Sequence, residues 1–163
     1  MKKMMILIGV AVLAIASQAA SFKWTAANIY ASDLTTKYTG TATIYAYLST
    51  DTADSAVKVV DVDIVDGVIK TGATTGHTYE WSDASVGSTY RFYMVIEDEG
   101  KSFSSVSLIK EGGAQATSTT TISFANMAGL TQNASNWSAV PEPTSAMLLV
   151  LGVAALALRR KRT

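Results

Sequence analysis

The chain has 163 residues, of which 13 are basic and 13 acidic, with one histidine and no cysteine. Six of the basic residues (Lys2, Lys3, Arg159, Arg160, Lys161 and Arg162) sit at the two ends, so the stretch between them carries seven basic residues against 13 acidic, a net charge near −6. That balance argues against a nucleic-acid partner, which selects clustered Lys and Arg; the lack of cysteine excludes a disulfide framework, thiol catalysis and cysteine-ligated metal.

The first twenty residues, MKKMMILIGVAVLAIASQAA, have the three parts of an export signal. Lys2 and Lys3 make the charged start, Met4 to Ala16 the apolar stretch, and Ser17 and Ala19 the small residues that signal peptidase reads. Residues 1–19 are therefore expected to be a signal peptide in helical form, cut after Ala19. Cuts after Ala16 or Ala20 are the alternatives, and an uncleaved N-terminal anchor is the competing reading.

Past Ala20 the pattern changes to a period of two. A strand over Trp24 to Tyr30 is the first and weakest. In Thr41–Ser49, Ala42, Ile44, Ala46 and Leu48 face one way and Thr43, Tyr45 and Tyr47 the other. Val57–Val65 puts Val60, Val62 and Ile64 opposite Asp61 and Asp63. Asp66-Gly67 is a two-residue hairpin turn signal, and Val68–Thr71 returns from it. Ser88–Glu97 alternates again, with Tyr90, Phe92, Met94 and Ile96 on one face. A turn over Glu97 to Gly100 leads back through Lys101–Lys110, and Thr117–Phe124 is the last clear strand. The expected domain, residues 20–125, is all-β: a small antiparallel sandwich of about seven or eight strands, with a small barrel as the alternative. Residues 126–139 lack periodicity and read as a spacer.

Few side chains in this domain suggest chemistry. His77 is alone in a Gly/Thr-rich loop without a base or nucleophile beside it. Asp61, Asp63 and Asp66 resemble a short calcium run, but their spacing fails the EF-hand pattern and a solvated strand face explains them better. Glu97, Asp98 and Glu99 read as a solubility device at a hairpin tip. Tyr45, Tyr47 and Tyr93 suit either cross-strand packing or stacking on sugar rings. Trp24, Trp81 and Trp137 form no motif. Asn133-Ala134-Ser135 and Asn136-Trp137-Ser138 fit the N-glycosylation pattern. No catalytic residue, metal set or cofactor is expected.

The C-terminus, VPEPTSAMLLVLGVAALALRRKRT, carries the most specific signal. Pro141 and Pro143 lack N–H groups and push their neighbours into extended backbone. Ala146 to Leu158 is an apolar run of 13 residues, roughly 20 Å as a helix against a hydrocarbon core of about 30 Å. It is a marginal membrane span, and Arg159, Arg160, Lys161 and Arg162 hold its end on the cytoplasmic side. Pro-Glu-Pro, a short apolar helix and an arginine-rich end, in that order over residues 140–163, resemble the PEP-CTERM sorting signal of Gram-negative bacteria. The resemblance implies recognition at Val140, Pro141, Glu142 and Pro143 by an exosortase, a membrane-embedded transpeptidase. Lys161 among the arginines is the one departure from the pattern. A plain tail anchor is the alternative. In a bacterial protein the two glycosylation patterns are expected to go unused.

The expected function is thus an exported, surface-sorted, non-catalytic protein of the envelope or extracellular matrix. Its expected partners are signal peptidase, exosortase, the membrane before processing, and exopolysaccharide, which only the resemblance implies. A secreted carbohydrate-active enzyme and a self-assembling β-sheet subunit are the alternatives. This topography predicts that an export-dependent reporter fused at mid-chain is active; activity of a cytosol-dependent reporter there overturns it.

Overall fold

A computed structural model describes residues 19–140. The expected terminal helices, Ser17, Pro141 to Pro143 and Arg159 to Arg162 lie outside the described residues. Within them, strands dominate: β1 (Ala20–Ala26), β2 (Gly40–Leu48), β3 (Val57–Val65), β4 (Val68–Thr71), β5 (Thr74–Thr75), β6 (His77–Trp81), β7 (Thr89–Asp98), β8 (Lys101–Ser104), β9 (Lys110–Gly113), β10 (Thr120–Phe124) and β11 (Trp137–Ala139), with one helical turn and a half, α1 (Met127–Thr131). They form two sheets. The smaller has the order β10-β1-β6. The larger runs β11-β8-β7-β2-β3-β4-β5, and β9 also pairs with β7.

The first strand begins at Ala20, four residues before the sequence pattern suggests. Ala20, Phe22, Trp24 and Ala26 alternate onto the core face and are buried. β1 runs antiparallel to β6 but parallel to β10, with Phe22 opposite Thr120 and Ala26 opposite Phe124. The expectation of a purely antiparallel architecture is corrected at this one pairing. The larger sheet is antiparallel throughout.

The two sheets meet through aromatic rings. Phe22 and Trp24 of β1 approach Phe92 of β7, with ring centroids 5.0 and 6.0 Å apart. Trp81 of β6 meets Tyr90 of β7 edge-on at 4.8 Å. Trp24 and Trp81, unconnected in sequence, share this cluster. An aromatic side chain buries on the order of 150–250 Å², about 4–6 kcal/mol at 25 cal/mol per Å². Ile44, Ile64, Ile69, Met94, Ile96 and Ile122 fill the rest of the core.

Three local features explain how the chain makes this shape. Asp66 and Gly67, with φ of 52° and 71°, form the turn between β3 and β4 that their residue types predict. Gly76, at φ 90°, is the corner at which the chain leaves β5 in the large sheet for β6 in the small one. The stretch around His77, expected as a loop, is thus the start of a strand. Finally, the expected single strand over Lys101–Lys110 is broken. Ser105 is fully buried, and its Oγ accepts the N–H of Met94 at 2.8 Å. That hydroxyl replaces a ladder partner, so β7 pairs with β8 along Val95–Asp98 and with β9 along Thr89–Phe92.

The loop between β1 and β2 is pinned to the turn after β3. Ile29 N–H donates to Gly67 O at 3.0 Å and Gly67 N–H to Tyr38 O at 2.8 Å. Within this loop the Thr36 hydroxyl donates to Asp33 Oδ2, and the N–H groups of Thr36 and Thr35 to Oδ1. The Thr36 bonds, with help from Thr35, lower the Asp33 carboxyl from 3.8 to about 2.

Two outcomes follow from this geometry. A Cβ on Gly67 would lie 2.6 Å from Ile29 O in a left-handed backbone, so Gly67→Ala is expected to cost at least about 1–2 kcal/mol in urea unfolding. The depressed Asp33 value means that its stabilisation is complete above pH 3.8 and fades as pH falls toward 2. Asp33→Asn removes that part of the acid sensitivity, which a pH series of melting temperatures measures.

Candidate functional site

Two regions are candidates for function: the C-terminal edge of the large sheet and the outer face of that sheet.

The edge is built by residues expected to be a spacer. Met127 and Thr131 of α1 are fully buried. The Thr131 hydroxyl donates to Met127 O at 2.8 Å and accepts Tyr30 N–H at 3.0 Å. Trp137 donates its indole N–H to Thr131 O at 2.8 Å and packs on Phe103, centroids 5.6 Å apart. Asn136 Nδ2 donates to Leu130 O, and Asn133 Oδ1 accepts the Ser135 N–H and hydroxyl. Residues 126–139 are therefore part of the fold, because Met127, Thr131 and Trp137 give the segment buried anchors that no periodicity announces. Both N-glycosylation asparagines are engaged in its hydrogen bonds.

β11 then pairs antiparallel with β8, Trp137 opposite Phe103 and Ala139 opposite Lys101. Val140 follows, and its N–H donates to Gly100 O at 2.8 Å. Of the four expected recognition residues, Val140 alone lies among the described residues, and it is held by the β7–β8 hairpin. Asp98 in that hairpin also accepts Ser32 N–H at 2.7 Å, so the acidic tip tethers the β1–β2 loop as well as meeting solvent. At the other terminus Ala20, which with Ser17 and Ala19 makes up the expected signal-peptidase site, is fully buried opposite Trp81.

The outer face of the large sheet carries side chains from β2, β3, β7, β8, β9 and β11. Directly opposed residues share a face, which places Thr43, Asp61, Val95 and Ser104 in one row and Glu97, Ser102 and Ser138 in another. Tyr45 and Tyr93 are a cross-strand pair and stack at 5.3 Å with an interplanar angle of 10°. Tyr47 leans on Tyr93 at 6.5 Å and is itself buried. The ring faces between Tyr45 and Tyr93 are thus spent on each other. Burial, and then the neighbouring Tyr45 and Tyr47, raise the Tyr93 hydroxyl above its usual 10.0.

Two carboxylates on this face are paired. Lys58 Nζ meets Asp61 Oδ2 at 2.7 Å, and the Thr43 hydroxyl meets Asp61 Oδ1 at 2.7 Å; these bonds lower the Asp61 carboxyl. Arg91 Nε donates to Glu111 Oε1 at 2.7 Å, which raises the guanidinium. Asp63 sits opposite Thr41 and Lys70, and Asp66 lies in the turn, so the run read for calcium is spread along a strand and its end. Among the described residues no group of three or more His, Asp or Glu is placed to hold a metal ion. His77 Nδ1 lies 3.2 Å from the Thr71 hydroxyl. Among the described residues no helix is long and apolar enough to cross a membrane.

Against this geometry, comparison with family models gives one match: the PEP-CTERM protein-sorting motif, over residues 139–162. The C-terminal tail is therefore a PEP-CTERM sorting motif, and its first residue, Ala139, is the last residue of β11. Neither the curated proteins nor the solved structures contain a match to the chain.

The stacked pair is open to measurement. Tyr45→Ala, Tyr93→Ala and the double variant should show a coupling of about 0.5–1.5 kcal/mol in a double-mutant cycle. Additive losses contradict the stack.

Proposed function

We propose that this chain is an exported protein whose C-terminal tail delivers it to the cell surface, where it acts without catalysis in the envelope or extracellular matrix. The observation that carries the reading is the sorting-motif match over residues 139–162. The tail holds the precursor at the inner membrane by its apolar run and basic end, and an exosortase-type transpeptidase cuts near Pro141-Glu142-Pro143. Signal peptidase removes the other end. The described strands run from Ala20 to Ala139, between the expected signal peptide and Pro141-Glu142-Pro143, which supports this division of labour.

The outer sheet face supports contact with a polyhydroxylated polymer such as exopolysaccharide. It carries the hydroxyls of Ser102, Ser104 and Ser138 together with the stacked Tyr45 and Tyr93. Two of its carboxylates are engaged, Asp61 with Lys58 and Thr43 and Glu111 with Arg91, and the non-catalytic reading rests on the sorting motif.

Substituting Pro141→Ala and Glu142→Ala together tests the sorting role. The double variant is expected to accumulate in the membrane fraction as an uncut precursor, whereas the unaltered chain reaches the surface with a shortened C-terminus by intact mass. Equal surface delivery and equal C-terminal mass for the two chains overturn the reading.

A further inference from the structure

The end of the fold and the start of the sorting motif share residues. The matched motif begins at Ala139, which is paired with Lys101. Val140 is held by the bond from its N–H to Gly100 O. Antiparallel pairs alternate between hydrogen-bonded and non-hydrogen-bonded. The bonded pair at Val140 and Gly100 makes Ala139 and Lys101 a non-hydrogen-bonded pair, the kind with the closest Cα atoms.

Anchoring along this strand is uneven. Trp137 is 9% exposed and fixed by its ring and its indole N–H. Ser138 and Ala139 are exposed, and β11 is the edge of the sheet. The strand is therefore firm at Trp137 and weakly held at its exit.

Enzymes that grip an extended peptide do so largely through its main-chain groups. In Val140-Pro141-Glu142-Pro143 the two prolines have no N–H, so Val140 and Glu142 carry the only main-chain donors. The fold occupies one of those two.

We propose that β11 is a latch. Pairing of Ala139 and Val140 with the β7–β8 hairpin withholds the sorting motif from its processing enzyme. Cutting proceeds through the conformer in which the end of β11 has left β8 while Trp137 stays docked. This rests on the sorting function proposed above. The rate of cutting scales with the population of the open conformer. One exposed hydrogen bond and one side-chain pair make the latched chain about 2- to 10-fold slower than a free motif.

The chain has no cysteine, so one engineered pair gives a unique disulfide. Lys101→Cys with Ala139→Cys joins the non-hydrogen-bonded pair. In native cells, pulse–chase with intact mass of the C-terminus follows the full-length chain. The oxidised variant is expected to be cut at least about tenfold more slowly than its own reduced form. A flexible linker of about eight Gly and Ser residues between Ala139 and Val140 speeds cutting of the otherwise unaltered chain about 2- to 10-fold, and it makes the disulfide variant insensitive to reductant. Equal rates for oxidised and reduced forms overturn the latch while leaving the sorting function in place, and so does a linker that changes nothing. An unaltered chain that is never cut overturns the sorting function and the latch together. The linker needs no new side-chain contact in the fold, so it decides the matter even where the cysteine variant misfolds.

Discussion

The contact between β1 and Phe92 is the interaction on which the rest of the molecule depends. The chain has no cysteine to staple its layers, so closure rests on apolar burial. Phe22 and Trp24 reach Phe92 from the small sheet, and Trp81 and Tyr90 extend the same cluster. This requirement places β1 in the middle of its sheet, where it takes β6 on one side and β10 on the other. Trp24 is fully buried with no hydrogen-bond acceptor at its indole nitrogen. An unmade bond of that kind costs about 1–3 kcal/mol, less than the roughly 4–6 kcal/mol gained by burying the ring. The aromatic surface wins, and the lone donor is tolerated.

With the layers joined in this way, the large sheet has one face in the core and one free. The free face is neither greasy nor strongly charged. Its tyrosines pack on one another, and Asp61 and Glu111 are neutralised locally by Lys58 and Arg91. Exposed ion pairs of this sort add little stability. Their effect is to leave a face of hydroxyls and packed rings with little net charge. The specific signal lies in the tail, which begins where that sheet ends.

Much of this was legible in the residues, for reasons that differ from segment to segment. β2, β3 and β7 are half-buried strands of nine or ten residues, and their alternation is a direct image of one wet and one dry face. Asp66-Gly67 marks its turn because both positions need positive φ. β6 escaped notice because Thr78, Tyr79 and Glu80 are all exposed at a sheet edge, which erases the period. The parallel pairing of β1 with β10 joins residues about a hundred positions apart, and no local pattern encodes it. Ser105 replaces a backbone acceptor with a hydroxyl, a substitution that looks like any other serine in a Ser-rich strand. The anchor role of Trp137 rests on a single aromatic among Asn and Ser. The sorting motif was the easiest feature to read, since it is a linear signal whose residue order carries the message before any folding occurs.

The central position of β1 has a consequence for the order of assembly. β1 is the first strand to emerge from a chain delivered N-terminus first, yet its partner β10 lies about a hundred residues later. Loop closure over such a span is slow, and topologies dominated by distant pairings fold late. The small sheet cannot close until nearly the whole domain has appeared. Until then the hairpins of the large sheet, whose strands are neighbours in sequence, are the structure that can form locally.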